Sequence, residues 1–219
     1  MAWTDREALV VLFHSTGGTR WKHRDNWDTD TGIAAWYGVT VNDQGRVTEL
    51  RLHQNDLQGH IPAALGALSE LKTLHLHTNL LTGGIPSELG ALVKLEYLGL
   101  SNNQLTGHIP AALGALSELK ILQLLENLLT GVIPSELGAL VKLEELWLYS
   151  NQLTGVIPSE LGALVKLEKL GLSNNQLTGH IPAALGALSE LKILQLLKIC
   201  LRVSSLRSLE PSSSWRSFG

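Results

Sequence analysis

A 24-residue unit repeats almost unchanged through most of this chain of 219 residues. Its copies begin at Leu57, Leu81, Leu105, Leu129, Leu153 and Leu177. Residues 99–125 and 171–197 are the same string, GLSNNQLTGHIPAALGALSELKILQLL, three units apart. A unit this short cannot bury its apolar face alone, so successive units must stack and share one elongated core.

Each unit reads LxxLxLxxNxLxGxIPxxLGxL, and this spacing predicts one coil of a solenoid. The alternation Leu146-Trp147-Leu148 is typical of a strand with one buried face. Pro158 ends the extended stretch, and Leu161 and Leu164 then recur at helical spacing for about one turn. Stacking the coils places their strands side by side in a parallel sheet.

This motif resembles the plant-type leucine-rich repeat of receptor-like kinase ectodomains and polygalacturonase-inhibiting proteins, over residues 47–197. The resemblance implies an α/β solenoid, a right-handed superhelix with about seven parallel strands on its concave face and short helical or 3₁₀ segments on its convex side. It also implies a ladder of asparagine amides that bond the backbone of adjacent coils. The corresponding residues are Asn55, Asn79, Asn103, Asn127, Asn151 and Asn175.

Residues 1–46 resemble the N-terminal cap of the same family. The segment Thr4-Asp5-Arg6-Glu7 predicts a capped helix start. Three tryptophans are expected to cover the open end of the leucine core: Trp21, Trp27 and Trp36. The only cysteine of the chain is Cys200, so this cap is similar to the cysteine-free variants of the family.

Composition and charge restrict the classes of binding partner and the cellular compartment that we expect for this chain. A formal net charge of −3 favours neither nucleic acid nor an anionic membrane as a partner. No basic and apolar leader precedes the first predicted helix, and no apolar run approaches the roughly 18 residues of a membrane span. The literal sequence therefore predicts a cytoplasmic protein without membrane insertion, and an extracellular one if an upstream exon is missing.

Sequence motifs of catalysis do not occur in this chain. GxxxxGK[ST], HExxH, CxxC and GxSxG are all missing. Carboxylates recur in the return segments, where we expect them to face solvent, and the outside of a solenoid offers no cleft that would pair two of them. We therefore expect no enzyme activity and no cofactor.

Two patches of candidate binding residues lie on the predicted concave face, where side chains vary without disturbing the core. The aromatic patch has the composition of an interface hot spot. Its members are Tyr97, Ile121, Gln123, Leu125, Glu145, Trp147 and Tyr149.

The histidine patch, also on the predicted concave face, consists of Arg51, His53, His75 and His77. Adjacent histidines are potential zinc ligands, but no carboxylate or thiol completes a set, so the sequence favours a metal-free, basic and pH-sensitive rim for an acidic partner.

These features predict a noncatalytic module that recognises a protein or peptide through its concave face, with carbohydrate as an alternative ligand. Two further functions stay open at this point. One is a truncated, ligand-binding or regulatory part of a larger receptor-like kinase or GTPase signalling protein. The other is an inhibitor of a cell-wall polysaccharide hydrolase.

The repeat stops abruptly before residues 198–219, which read KICLRVSSLRSLEPSSSWRSFG. Three units earlier, residues 126–147 read ENLLTGVIPSELGALVKLEELW. Loss of one nucleotide converts the second string into the first, with permitted codons at every position. We interpret the irregular tail as a repeat read in a shifted frame; the alternative is an ordinary serine-rich terminus. An array ended in this way would expose a leucine edge and favour end-to-end self-association.

Sequencing the transcript across codon 198 tests the shifted frame. Because the codons of the duplicated unit persist beneath the shift, we expect one inserted nucleotide to restore a repeat that resembles ENLLTGVIP. A 3′ region without such a repeat in the alternative frame would contradict the interpretation.

Overall fold

The computed structural model describes residues 3–198 and 200–201. The predictions for residues 199 and 202–219, which include most of the shifted repeat, lie outside the described residues. Within the described part of the chain, no helix is both long enough and apolar enough to cross a bilayer.

The chain begins with one α-helix, α1 (Asp5–Ser15), which the predicted capping box starts. The Thr4 hydroxyl accepts a hydrogen bond from the Glu7 backbone N–H, and the Glu7 carboxylate accepts one from the Thr4 backbone N–H. Gly17 follows the helix at φ +68°, a left-handed conformation that glycine adopts at little cost. The helix therefore starts where the sequence predicts, and Gly17 follows its last turn.

Aromatic rings bury the N-terminal end of the leucine core. Phe13 on α1 contacts Trp21 and Trp27, with ring centroids 5.2 and 6.0 Å apart. Trp27 in turn contacts Trp36 at 4.9 Å. All four side chains are buried, as the sequence predicts for the three tryptophans.

A buried carboxylate ties α1 to the first coil. Asp5 accepts a hydrogen bond from Arg46 Nη2 at 2.8 Å and another from the Val47 backbone N–H at 2.7 Å. This pairing satisfies a charge that would be costly to bury alone. It also fixes α1 beside the start of the repeat array.

The extended segments follow the repeat. In chain order the strands are β1 (Val39–Val41), β2 (Val47–Arg51), β3 (Gln58–His60), β4 (Thr73–His75), β5 (Leu80–Gly83), β6 (Tyr97–Gly99), β7 (Gln104–Leu105), β8 (Ile121–Gln123), β9 (Thr130–Gly131), β10 (Glu145–Trp147), β11 (Gln152–Leu153), β12 (Lys169–Gly171), β13 (Thr178–Gly179), β14 (Ile193–Gln195) and β15 (Cys200–Leu201).

One long sheet lines the concave face, in the order β1-β2-β4-β6-β8-β10-β12-β14. Its first pair, β1 and β2, is antiparallel, and the seven strands from β2 onward are parallel. The leucine at the centre of each strand from β2 to β12 has no exposed surface. The predicted α/β solenoid with a parallel concave sheet is thus confirmed.

Each coil returns through a five-residue 3₁₀ segment on the convex side. These segments are Ala63–Ala67, Ser87–Ala91, Ala111–Ala115, Ser135–Ala139, Ser159–Ala163 and Ala183–Ala187, and two shorter ones in the cap are Gly18–Arg20 and Ile33–Ala35. A glycine lies inside each of the six, and in the first five the next coil is close to it: a Cβ on Gly138 would meet the Glu160 carbonyl oxygen at 2.5 Å. The repeated glycine therefore permits the close approach of the coils on the convex side.

A second row of short strands lies along one flank of the solenoid, and the sequence did not predict it. Parallel pairing joins β3-β5-β7, β9-β11 and β13-β15. The backbone N–H of Gln152 donates to the Leu129 carbonyl at 2.8 Å, and that of Thr178 donates to the Gly155 carbonyl at 2.7 Å. Strands of two to four residues carry too little alternation to be recognised in the sequence.

Buried asparagine amides join each coil to its predecessor. Asn127 Oδ1 accepts from the Leu105 backbone N–H at 3.0 Å. Its Nδ2 donates to the Leu100 carbonyl at 3.0 Å and to the Leu124 carbonyl at 3.1 Å. One amide thus satisfies backbone groups of two coils that water cannot reach.

The same arrangement recurs along the array, which confirms the predicted ladder. The equivalent residues are Asn79, Asn103, Asn151 and Asn175. The first member, Asn55, instead bonds the backbone of His23 in the cap, accepting from its N–H at 2.6 Å and donating to its carbonyl at 2.9 Å. The ladder therefore also attaches the cap to the coils.

Removing one interior amide should destabilise the array strongly. We expect Asn127→Ala to lower the free energy of unfolding by about 3 kcal/mol, because it leaves buried backbone groups of two coils without partners. Chemical denaturation followed by circular dichroism measures this change. Gln104→Ala removes an exposed amide from the neighbouring coil and should change the stability by less than about 0.5 kcal/mol. Equal effects of the two substitutions would contradict the structural role of the ladder.

Candidate ligand-binding surface

The aromatic patch is a rigid arrangement centred on β10. The Trp147 indole Nε1–H donates to Glu145 Oε2 at 2.8 Å, and Lys169 Nζ donates to Glu145 Oε1 at 2.8 Å. Trp147 and Tyr149 meet edge to face, with ring centroids 6.0 Å apart. Burial acts to raise the pKa of Glu145, but the hydrogen bonds from Lys169 and Trp147 outweigh it and lower that pKa. The carboxylate therefore stays ionised and holds the indole in place.

Two glycines make room for the large rings. A Cβ on Gly171 would lie 2.5 Å from Trp147 Cε3 and 3.1 Å from Tyr149 Cδ1. A Cβ on Gly99 would likewise lie 2.7 Å from Tyr97 Cε1. The three rings therefore lie over positions where other coils carry side chains.

Tyr97 connects the aromatic patch with the histidine patch. Its hydroxyl donates to Gln123 Oε1 at 2.7 Å, and its ring stacks on His75 with the centroids 4.1 Å apart. Burial raises the pKa of Tyr97, and the negative charge of Glu145 acts in the same direction. The two patches are thus one continuous surface.

Burial makes two histidines of the histidine patch less basic than free imidazole. Burial lowers the pKa of His75 to about 4, and the charge of Arg51 and the rings of His77 and His53 act in the same direction. Burial, followed by the effect of His53, also lowers the pKa of His77. His75 is therefore neutral at neutral pH, and Arg51 supplies the positive charge of the rim. Arg51 donates to Glu49 Oε2 at 2.8 Å and lies 3.2 Å from His75 Nε2.

A separate depression of about 700 Å³ lies on the flank of the solenoid, outside the concave sheet. Val132 and Val156 line it and are more than half exposed. His108 lies at the same edge, and Glu136 and Glu160 also line the depression, so the expectation that the outside of the solenoid offers no cleft with two carboxylates was wrong. This flank provides a comparison surface for the concave face.

The repeat identified above matches a known family over most of its length. A family model described as "Leucine-rich repeat region" matches residues 44–218. The chain belongs to the leucine-rich repeat family. A comparison of this leucine-rich repeat chain with curated proteins returned no significant match.

Solved structures of receptors resemble this leucine-rich repeat chain. A TDR receptor is 40% identical over 66% of the chain, with a TM-score of 0.65. A Pollen Receptor Kinase 3 is 33% identical over 84% of the chain, with a TM-score of 0.74, and 90% of that structure is covered. The Arabidopsis receptor kinase HAESA, in complex with the peptide hormone IDA and the co-receptor SERK1, is 26% identical over 90% of the chain, with a TM-score of 0.57. The chain spans only 25% of the TDR receptor chain and 42% of the HAESA chain.

All eleven predicted site residues of this leucine-rich repeat chain lie on the concave strands or within two residues of their C-terminal ends. The aromatic patch was expected to be exposed, yet its large side chains are half-buried against each other and against neighbouring coils. Sequence reasoning missed three contributors: Gly99, Gly171 and Lys169. The two glycines were detectable in principle, since they stand at positions where other strands carry side chains.

Adding a methyl group beneath the tryptophan should displace it. We expect Gly171→Ala to shift the Trp147 indole N–H resonance, because the new Cβ overlaps the ring while the backbone conformation stays accessible to alanine. Two-dimensional NMR of the indole region measures the shift. Gly84→Ala is the matched control, because a Cβ there meets nothing nearer than 3.8 Å. An unchanged Trp147 resonance in Gly171→Ala would refute the packing described here.

Proposed function

We propose that this leucine-rich repeat protein is a noncatalytic recognition module that binds a protein or peptide in an extended conformation across its concave face. The proposal rests chiefly on one observation, the continuous surface that runs from Arg51 to Tyr149 through the Tyr97 and His75 stack. Hydrogen bonds and ring contacts within the protein hold the side chains of this surface in place. Such preorganisation lowers the entropic cost of binding.

The aromatic end of the surface suits an apolar anchor. Trp147 and Tyr149 present ring surface that is half-buried and held by neighbours, which is the character of interface hot spots. Ile121 and Leu125 on the adjacent coil extend the apolar area. Both carboxylate oxygens of Glu145 accept hydrogen bonds from the protein, one from Trp147 and one from Lys169. The positive charge of Lys169 largely compensates the negative charge of Glu145.

The opposite end suits an acidic group. Arg51 supplies a guanidinium that is about half exposed, although Glu49 already pairs with part of it. Four strand-to-strand steps separate β2 from β10, and at about 4.8 Å a step they span roughly 19 Å. An extended peptide covers this distance with about six residues. We therefore propose a ligand with an apolar side chain and an acidic side chain about six residues apart.

The similar structures favour one of the alternative functions. HAESA, TDR receptor and Pollen Receptor Kinase 3 are receptors, and the chain spans less than half of the first two. We propose accordingly that the chain corresponds to a ligand-binding part of a receptor-like protein. This proposal favours an extracellular location over the cytoplasmic one expected from the literal sequence. Inhibition of a cell-wall polysaccharide hydrolase and binding of carbohydrate stay predictions.

Selection from a phage-displayed library of random peptides tests the proposed surface. We expect enriched peptides to pair an aromatic or aliphatic residue with an aspartate or glutamate about six residues away. Trp147→Ala and Tyr149→Ala should each weaken their binding by about 2 kcal/mol, roughly 30-fold, because they remove anchoring contacts. Arg51→Ala should remove the preference for the acidic residue. Isothermal titration calorimetry with the synthesised peptides measures each effect.

The double variant Val132→Ala/Val156→Ala is the matched control, because it trims exposed apolar side chains on the flank and leaves the concave face intact. Circular dichroism verifies that every variant is folded. Peptides whose affinity falls in the flank variant and not in the tryptophan and tyrosine variants would overturn the proposed binding face.

A further inference from the structure

Three histidines converge on the concave face near its N-terminal end. His53 and His77 occupy equivalent positions in adjacent coils, and His75 precedes His77 by two residues on the same face. Each offers a ring nitrogen, and the three nitrogens all lie within 4.8 Å of one another. The His53 and His77 rings stack with centroids 4.8 Å apart, and the His75 ring lies edge-on to both.

One nitrogen of this cluster has no partner in the described structure. His75 Nδ1 is buried and makes no hydrogen bond. Buried polar atoms are nearly always satisfied, so an orphaned ring nitrogen beside two further imidazoles requires an explanation. A bound ion at this position would provide one.

We propose that His53, His75 and His77 bind a divalent transition-metal ion, with Zn²⁺ as the preferred ion and a fourth coordination position open to solvent. Imidazole is a strong ligand for such ions, whereas Mg²⁺ and Ca²⁺ require oxygen ligands. Three protein ligands plus an open position are a common zinc arrangement. This proposal does not depend on the proposed peptide-binding function.

The required adjustment of the side chains is small. Ligands about 2.0–2.1 Å from a tetrahedral zinc ion lie roughly 3.3 Å apart, so the cluster must contract by about 1.5 Å at its widest. His53 is exposed and can rotate toward the other two rings. His75 is held by its stack on Tyr97 and provides the fixed point.

The guanidinium of Arg51 disfavours the binding of a metal ion at His75. Its guanidinium lies 3.2 Å from His75 Nε2 and can only donate there, which leaves the ring proton on Nδ1. A metal ion can bind Nδ1 only if the ring proton moves to Nε2. Nε2 can then no longer accept a hydrogen bond from the guanidinium, so Arg51 must move away from it. Arg51 is about half exposed and keeps a partner in Glu49, so this movement is possible. Removing the guanidinium should therefore strengthen metal binding.

Titration of the full chain with ZnCl₂ tests the proposal, using protein without a histidine tag and isothermal titration calorimetry. We expect saturable binding of one ion, with no binding of Mg²⁺. His53→Ala and His77→Ala should each weaken metal binding at least tenfold. Mutation of an outer-shell group of a metal site already weakens binding by about 10- to 100-fold, and these variants remove a ligand itself. Arg51→Gln should tighten binding several-fold. Co²⁺ in place of Zn²⁺ should give the visible absorption of a tetrahedral site in the native protein and not in His53→Ala.

Two controls distinguish this site from nonspecific binding. His108→Ala removes an exposed histidine outside the cluster and should leave the affinity unchanged. Cys200→Ser removes the only thiol and should also leave it unchanged. Because His53 is exposed, His53→Ala should fold normally, which circular dichroism verifies. The proposal is overturned if ZnCl₂ does not bind with one-to-one saturation, or if His53→Ala and His108→Ala have the same effect.

Discussion

The asparagine amide at the turn of each coil is the interaction on which this structure depends. A solenoid coil buries backbone N–H and carbonyl groups that belong to neither helix nor sheet, and these groups need partners. An amide is neutral and offers both a donor and an acceptor, so a single asparagine can satisfy carbonyls of its own coil and of the preceding one. Asn127 does so within 3.0–3.1 Å, and Asn55 extends the same bonding into the cap. Leucine burial supplies the stabilising free energy, while the ladder fixes the spacing at which that burial is possible.

Fixed spacing explains why the concave face can be both variable and rigid. The side chains there contribute little to the core, so the repeat tolerates Trp147, Tyr97 and Gly171 at positions that elsewhere hold other residues. Parallel register brings equivalent positions of neighbouring coils together at a constant interval. Large rings then cross onto adjacent coils where glycine leaves space. The surface is preformed because the scaffold keeps its geometry when the residues on the concave face are substituted.

Electrostatics divide the concave face into two chemically different ends. Around Trp147, charge is compensated locally by the Lys169 and Glu145 pair, and ring surface dominates. Around His75, burial suppresses protonation and Arg51 carries the positive charge. Tyr97 links the ends through one stack and one hydrogen bond. The surface therefore combines an apolar anchor site, a cationic group and a cluster of imidazoles within a few coils.

The sequence by itself determined the solenoid, the capped first helix and the set of residues that line the concave face, and its resemblance to a known repeat implied the asparagine ladder. It did so because a 24-residue period and a strand alternation are local patterns, and stacking follows directly from the need to bury the repeated leucines. Only the tertiary structure decided the second row of short strands, the placement of rings over Gly99 and Gly171, the joining of the two patches by Tyr97 and the neutral state of His75. These features depend on the distances between residues about 24 positions apart and on how deeply each of those residues is buried. A linear pattern shows which residues share a face, but not how closely they approach or how well water reaches them.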